Sequence, residues 1–134
     1  MERLLGLAYH LKEQGPSASE LAFLGDAVYE LLVREWLVSS SAGRIGDLHK
    51  RKVDLVNSKA QYTAVETLSP QLTEEEKGVF KRGRNADTGH VPKNTDRMHY
   101  SYATGLETLF GYLYLKGEIE RIRELFFMIV ETEK

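Results

Sequence analysis

Apolar positions recur along this chain at helical spacing, and no segment alternates convincingly with a period of two. Leu4, Leu5, Leu7, Ala8 and Leu11 predict a short first helix that ends at Gly15-Pro16. Ser17-Ala18-Ser19-Glu20 reads as a capping box, with Ser17 as cap and Glu20 reaching back. A helix over about 18–38 follows, and Leu21, Leu24, Val28, Leu31 and Leu32 mark its core face. Residues 39–43 read as a loop. A third helix over about 45–68, stopping before Pro70, would bury Leu48, Leu55, Val56, Ala60 and Val65. Thr73-Glu74-Glu75-Glu76 opens the next one, with a second capping box and an acidic first turn that suits the helix dipole. Two more, over about 98–116 and 118–131, are separated by Gly117, and the last presents Ile119, Ile122, Leu125, Phe126 and Ile129. The expected fold is all-α, with about six to seven helices.

The stretch from Gly83 to Thr95 has no periodicity and is rich in turn formers. Loops of this length inside compact domains are usually functional or disordered. No internal repeat or interdomain linker is visible, and 134 residues suffice for one domain with one core. Hydrophobic residues at 42% and charged residues at 28% describe an ordinary globular chain. The absence of cysteine excludes a disulfide scaffold and a thiolate zinc site, and permits a cytoplasmic location. The N-terminus does not read as a signal peptide, and no apolar run approaches membrane-spanning length.

Net charge is −2, yet it is unevenly spread. The stretches 44–59 and 81–97 each hold five Lys/Arg against two Asp, so the rest of the chain is strongly acidic. A polyanion-binding surface on an acidic body has this pattern, and so do solvated helix faces. Lys50, Arg51, Lys52, Lys59, Arg82, Arg84, Lys93 and Arg97 are the candidates for phosphate contact.

The candidate chemistry lies in two distant helices. Asp26 shares a helix face with Ala22 and Tyr29, beside the apolar stripe and next to Gly25. Glu107 is bordered by Ala103, Phe110 and Gly111. On spacing alone, both could be surface carboxylates paired with Lys or Arg. Facing each other across packed helices, they would repel, and one would hold its proton. A divalent cation removes that conflict, so the pair is a candidate metal site. Glu20 reads as a cap rather than a ligand. His10, His49, His90 and His99 are not spaced as a metal pair.

Leu21-Ala22-Phe23-Leu24-Gly25-Asp26-Ala27-Val28 resembles the signature helix of the ribonuclease III family. Thr104-Gly105-Leu106-Glu107-Thr108-Leu109-Phe110-Gly111 resembles that family's second acidic helix. With Gly83-Arg84-Asn85-Ala86 and Val91-Pro92-Lys93-Asn94, the chain is most similar to the Mini-III branch. It is too short to hold the family's double-stranded-RNA-binding domain after the nuclease domain, so a single nuclease domain over 1–134 is expected. The family's quartet of acids places a Glu and an Asp on the first helix, and an Asp and a Glu on the second. Asp26 matches the first Asp and Glu107 the last Glu, while Ala22 and Thr104 occupy the other two positions. Mini-III-like sequences share that reduction.

The resemblance implies a magnesium-dependent endoribonuclease acting on double-stranded RNA, with manganese able to replace magnesium. Asp26 and Glu107 would be its catalytic metal ligands. It also implies maturation of the large-subunit ribosomal RNA precursor, and a two-fold homodimer with Phe23, Leu24, Ala27 and Tyr29 at the interface. The alternative is a non-catalytic RNA- or ribosome-binding module on the same fold.

Overall fold

A computed structural model describes residues 4–5, 15–40, 43–86 and 91–131. The expected first helix, with Leu7, Ala8 and Leu11, lies mostly outside the described residues, as do His10, Asp87 and His90. The described helices are α1 (Ala18–Ser40), α2 (Ile45–Val56), α3 (Ser58–Leu68), α4 (Glu74–Arg84), α5 (Arg97–Leu115) and α6 (Ile119–Glu131). A 3-10 turn, Ser69–Gln71, places Pro70 at its second position and links α3 to α4. No strand occurs among the described residues, and the fold is all-α.

Helix α5 is the axle. It packs against α1, α3, α4 and α6, and it buries Leu106, Thr108, Leu109, Phe110 and Leu113. Asp96 caps it by accepting from the backbone N–H groups of Met98 (2.8 Å) and His99 (3.1 Å). Both expected capping boxes are present. Ser17 and Glu20 exchange bonds of 2.9 and 3.0 Å at the start of α1. Thr73 and Glu76 exchange bonds of 2.9 and 3.1 Å at the start of α4.

The single helix expected over 45–68 is two helices. Asn57 is extended, at φ −66° and ψ 163°. Its side-chain oxygen accepts from the Ala60 N–H at 2.8 Å, and its amide nitrogen donates to the Val53 carbonyl at 3.1 Å. One asparagine thus closes α2 and opens α3, because its short side chain supplies the backbone bonds that a continuing helix would have made.

The core face of α1 also differs from the expectation. Leu21, Gly25, Tyr29, Val33 and Leu37 are buried, in steps of four. Leu24, Val28 and Leu32 are only partly buried, and Leu31 is exposed. The helix is apolar on two sides, and the inward side is the one that lets α5 approach.

Glu76 does more than cap. Its carboxylate meets the Arg121 guanidinium from α6 in a fork, Nε to Oε2 and Nη2 to Oε1, both at 2.8 Å. Arg121 Nη2 also donates to the Gln71 carbonyl at 2.9 Å. The Arg121 bond holds the Glu76 carboxyl below the usual carboxylate range. Arg121→Met strands Glu76 with only its capping bonds. We expect a loss of about 2–3 kcal/mol at neutral pH, somewhat less than a fully buried pair would show. A carboxyl with a depressed folded value stabilises above its unfolded value and loses that contribution as pH falls through the folded one. The gap between parent and variant in urea melts should therefore close in acid.

Candidate active site

Helices α1 and α5 cross backbone to backbone. A Cβ on Gly25 would run into the carbonyl of Glu107, and one on Gly111 into the carbonyl of Leu21. Only glycine fits at either position. Because Asp26 follows Gly25, the crossing sets its carboxyl within hydrogen-bonding reach of Glu107. Asp26 is exposed, while Glu107 sits largely inside.

The electrostatics divide the pair. Burial first, and the Asp26 charge second, push the Glu107 carboxyl up to about 8. A hydrogen bond donated by the Gln61 side-chain amide opposes the shift. Glu107 is thus the member that keeps its proton near neutral pH. Gln61, on α3, donates from Nε2 to Glu107 Oε2 at 3.3 Å and to the Val56 carbonyl at 2.9 Å. Sequence reasoning missed it. The signal was a polar residue spaced with Ala64, Val65 and Leu68 on the buried side of α3.

Ala22 and Thr104 are both buried. The Thr104 hydroxyl donates to the Tyr100 carbonyl of its own helix at 3.0 Å. Among the described residues, no group of three or more His, Cys, Asp or Glu side chains is placed to hold a metal. The pair still suits a hard cation. Its donors are carboxylate oxygens, a cation would offset the burial and repulsion that raise Glu107, and Mg²⁺ tolerates few protein ligands because it keeps several waters.

Lys50 and Arg51 are exposed on α2, Lys59 on α3 and Arg82 on α4. Lys93 is exposed ahead of α5, and Arg97 is exposed in its first turn. None of the six has an ion-pair partner among the described residues. Lys52 and Arg84 differ. Lys52 Nζ is 3.6 Å from Glu30 Oε1 and partly buried. Arg84 belongs to the last turn of α4, with its guanidinium 6.0 Å from the Phe80 ring centre and its Nε donating to Asn85 Oδ1 at 3.2 Å. The irregular stretch therefore begins at Asn85, not at Gly83.

Of the residues expected at a dimer interface, Phe23 is 85% exposed, Ala27 is exposed and Leu24 is half-buried. Tyr29 is 2% exposed. It stands edge-on to Phe110 and Phe126, with ring centres 5.2 and 6.1 Å away. It belongs to the protomer's own core and cannot reach a partner.

The ribonuclease III domain profile matches residues 19–118. A Mini-ribonuclease 3 of Brevibacillus brevis is 48% identical over 116 residues, covering 84% of this chain and 87% of that protein. A Mini-ribonuclease 3 of Symbiobacterium thermophilum is 46% identical over 105 residues, covering 78% of this chain and 81% of that protein. A crystal structure of a Fusobacterium nucleatum protein superposes with a TM-score of 0.83 at 32% identity, covering 93% of this chain and all of that one. Ribonuclease III enzymes act on double-stranded RNA and depend on divalent metal ions. Helix order, a carboxylate pair at a glycine crossing and relatives along most of the sequence lead to one conclusion: the chain belongs to the ribonuclease III family, in its Mini-ribonuclease 3 branch, and is an endoribonuclease.

Proposed function

We propose that this chain hydrolyses phosphodiester bonds of double-stranded RNA at Asp26 and Glu107, with Mg²⁺ as cofactor and Mn²⁺ able to replace it. The observation that carries the reading is the α1–α5 crossing at Gly25 and Gly111, which brings the carboxyls of Asp26 and Glu107 together. A cation bound there supplies charge for the scissile phosphate and an activated water. Asp26, at the open edge, meets solvent and orients the attacking water. Glu107, at the closed end, would hold a cation as the carboxylate, its proton passing to solvent. Purified protein should cut long double-stranded RNA with Mg²⁺ and leave it intact in excess chelator. Equal cutting in both conditions overturns the reading.

The exposed cations supply grip on RNA. Double-stranded RNA presents shape, phosphates and 2′-hydroxyls rather than base edges. Lys50→Gln with Arg51→Gln should weaken binding and lower its salt slope by about two, or roughly one per lost phosphate contact. Affinity measured across a salt series checks this, and parallel slopes with equal affinity would remove α2 from the RNA surface.

The working unit is a two-fold dimer. The support is the outward apolar face of α1, with Phe23, Leu24 and Ala27, which a lone protomer leaves in water. Phe23→Glu should convert a dimer into a monomer at micromolar concentration, read by light scattering. A monomeric parent protein overturns the arrangement. The precursor of large-subunit ribosomal RNA is the proposed substrate, by family likeness alone.

A further inference from the structure

Gln61 has bonding capacity that the fold leaves unused. The side chain is 4% exposed. Both amide hydrogens are committed, one to the Val56 carbonyl and one to Glu107 Oε2. Its Oε1 is the only buried side-chain nitrogen or oxygen among the described residues with no hydrogen-bond partner. Reversing the amide does not help, because it would set Oε1 against the Val56 carbonyl, which can only accept. Leaving such an oxygen dry is costly. An acceptor of this kind beside a metal-ligand carboxylate is what an outer partner of a metal site looks like. The position also has a mechanical sense. The break at Asn57 frees the Val56 carbonyl at the end of α2, and one amide then ties that end to the catalytic carboxylate.

We propose that Gln61 is the third protein group of the cation site: its amide hydrogens fix Glu107 to the end of α2, and its free oxygen accepts a hydrogen bond from water that enters with the cation. Gln61 thereby makes up part of what Ala22 and Thr104 lack. It is a positioning residue, and the inference rests on the reading of Asp26 and Glu107 as metal ligands.

The test is calorimetric titration of RNA-free protein with MnCl₂ and MgCl₂, comparing the parent with Gln61→Met and Gln61→Glu. Met keeps the volume and removes every polar atom. Glu keeps an oxygen and adds charge. We expect Gln61→Met to bind the cation about 10–100-fold more weakly, and Gln61→Glu to bind it more tightly than Gln61→Met. A purely structural glutamine predicts the reverse order of damage, since a further buried carboxylate beside Glu107 is worse than a methionine. Unchanged affinity in Gln61→Met, or Gln61→Glu no tighter than Gln61→Met, overturns the inference while the parent's binding keeps Asp26 and Glu107 as ligands. A parent that binds no cation overturns both. The side-chain amide resonances of Gln61 in the parent protein give a second readout that needs no variant. They should shift with the same midpoint as the calorimetric titration, and signals unmoved at saturation overturn the inference.

Discussion

Asp26→Asn and Glu107→Gln each abolish cleavage, by at least about a thousandfold or roughly 4 kcal/mol of barrier, while RNA binding and helix content stay near those of the parent. Each change keeps shape and removes the charge that would hold the cation. A variant that cuts within about tenfold of the parent takes that residue off the list of ligands. The Glu107 variant carries a second signature. In metal-free protein a carboxyl whose folded value is raised contributes stability that is complete below its unfolded value. It loses that contribution as pH rises through the folded one. With Glu107 pushed up to about 8, the parent's melting temperature should fall from mildly acidic pH to about 8. Divalent cation should restore it at the alkaline end. Gln at 107 does not titrate, so the slope should flatten. A parent whose melting temperature is level across that range argues against a buried, protonated Glu107.

Gly111→Ala forces the α1–α5 crossing apart through one methyl group. The added carbon meets the Leu21 carbonyl, which is backbone and cannot swing aside. Overpacking usually costs about 1–3 kcal/mol, and here two helix axes must part, so the upper end or beyond is expected. The folded fraction should also be inactive, because separating α1 from α5 separates Asp26 from Glu107. Melting temperature and cleavage rate per folded molecule check both halves. A loss below about 0.5 kcal/mol, the scale of an ordinary surface change, would mean that the helices do not cross at this glycine.

Helix starts were legible because capping is local: Ser17 with Glu20, and Thr73 with Glu76, are bonded within one turn. The break at Asn57 was not, although its chemistry is equally local. Leu55, Val56 and Ala60 keep helical spacing across it, and periodicity spoke louder than the cap. The inward face of α1 could not be read from hydrophobicity, since Leu24, Val28 and Leu32 are as apolar as Leu21, Val33 and Leu37. Resemblance alone places Tyr29 at an interface, whereas its ring is packed in the core. Asp26 and Glu107 came within reach through their glycine neighbours and the family likeness together. Gln61 carries no charge and matches no quartet position, so only its place in three dimensions distinguishes it.

Helix α1 has little idle surface. Leu21, Gly25, Tyr29, Val33 and Leu37 answer to the core, Asp26 to Glu107, Glu30 to Arg34 and Lys52, and Phe23, Leu24 and Ala27 to the outside. A saturation library over residues 21–33 would therefore show few tolerant columns, the exposed Leu31 among them, and tolerance would rise toward the far end, at Val38 and Ser39. The motif by which such chains are recognised is, in this sense, a record of crowding: several unrelated demands fall on the same few turns, so sequence drift has nowhere to go.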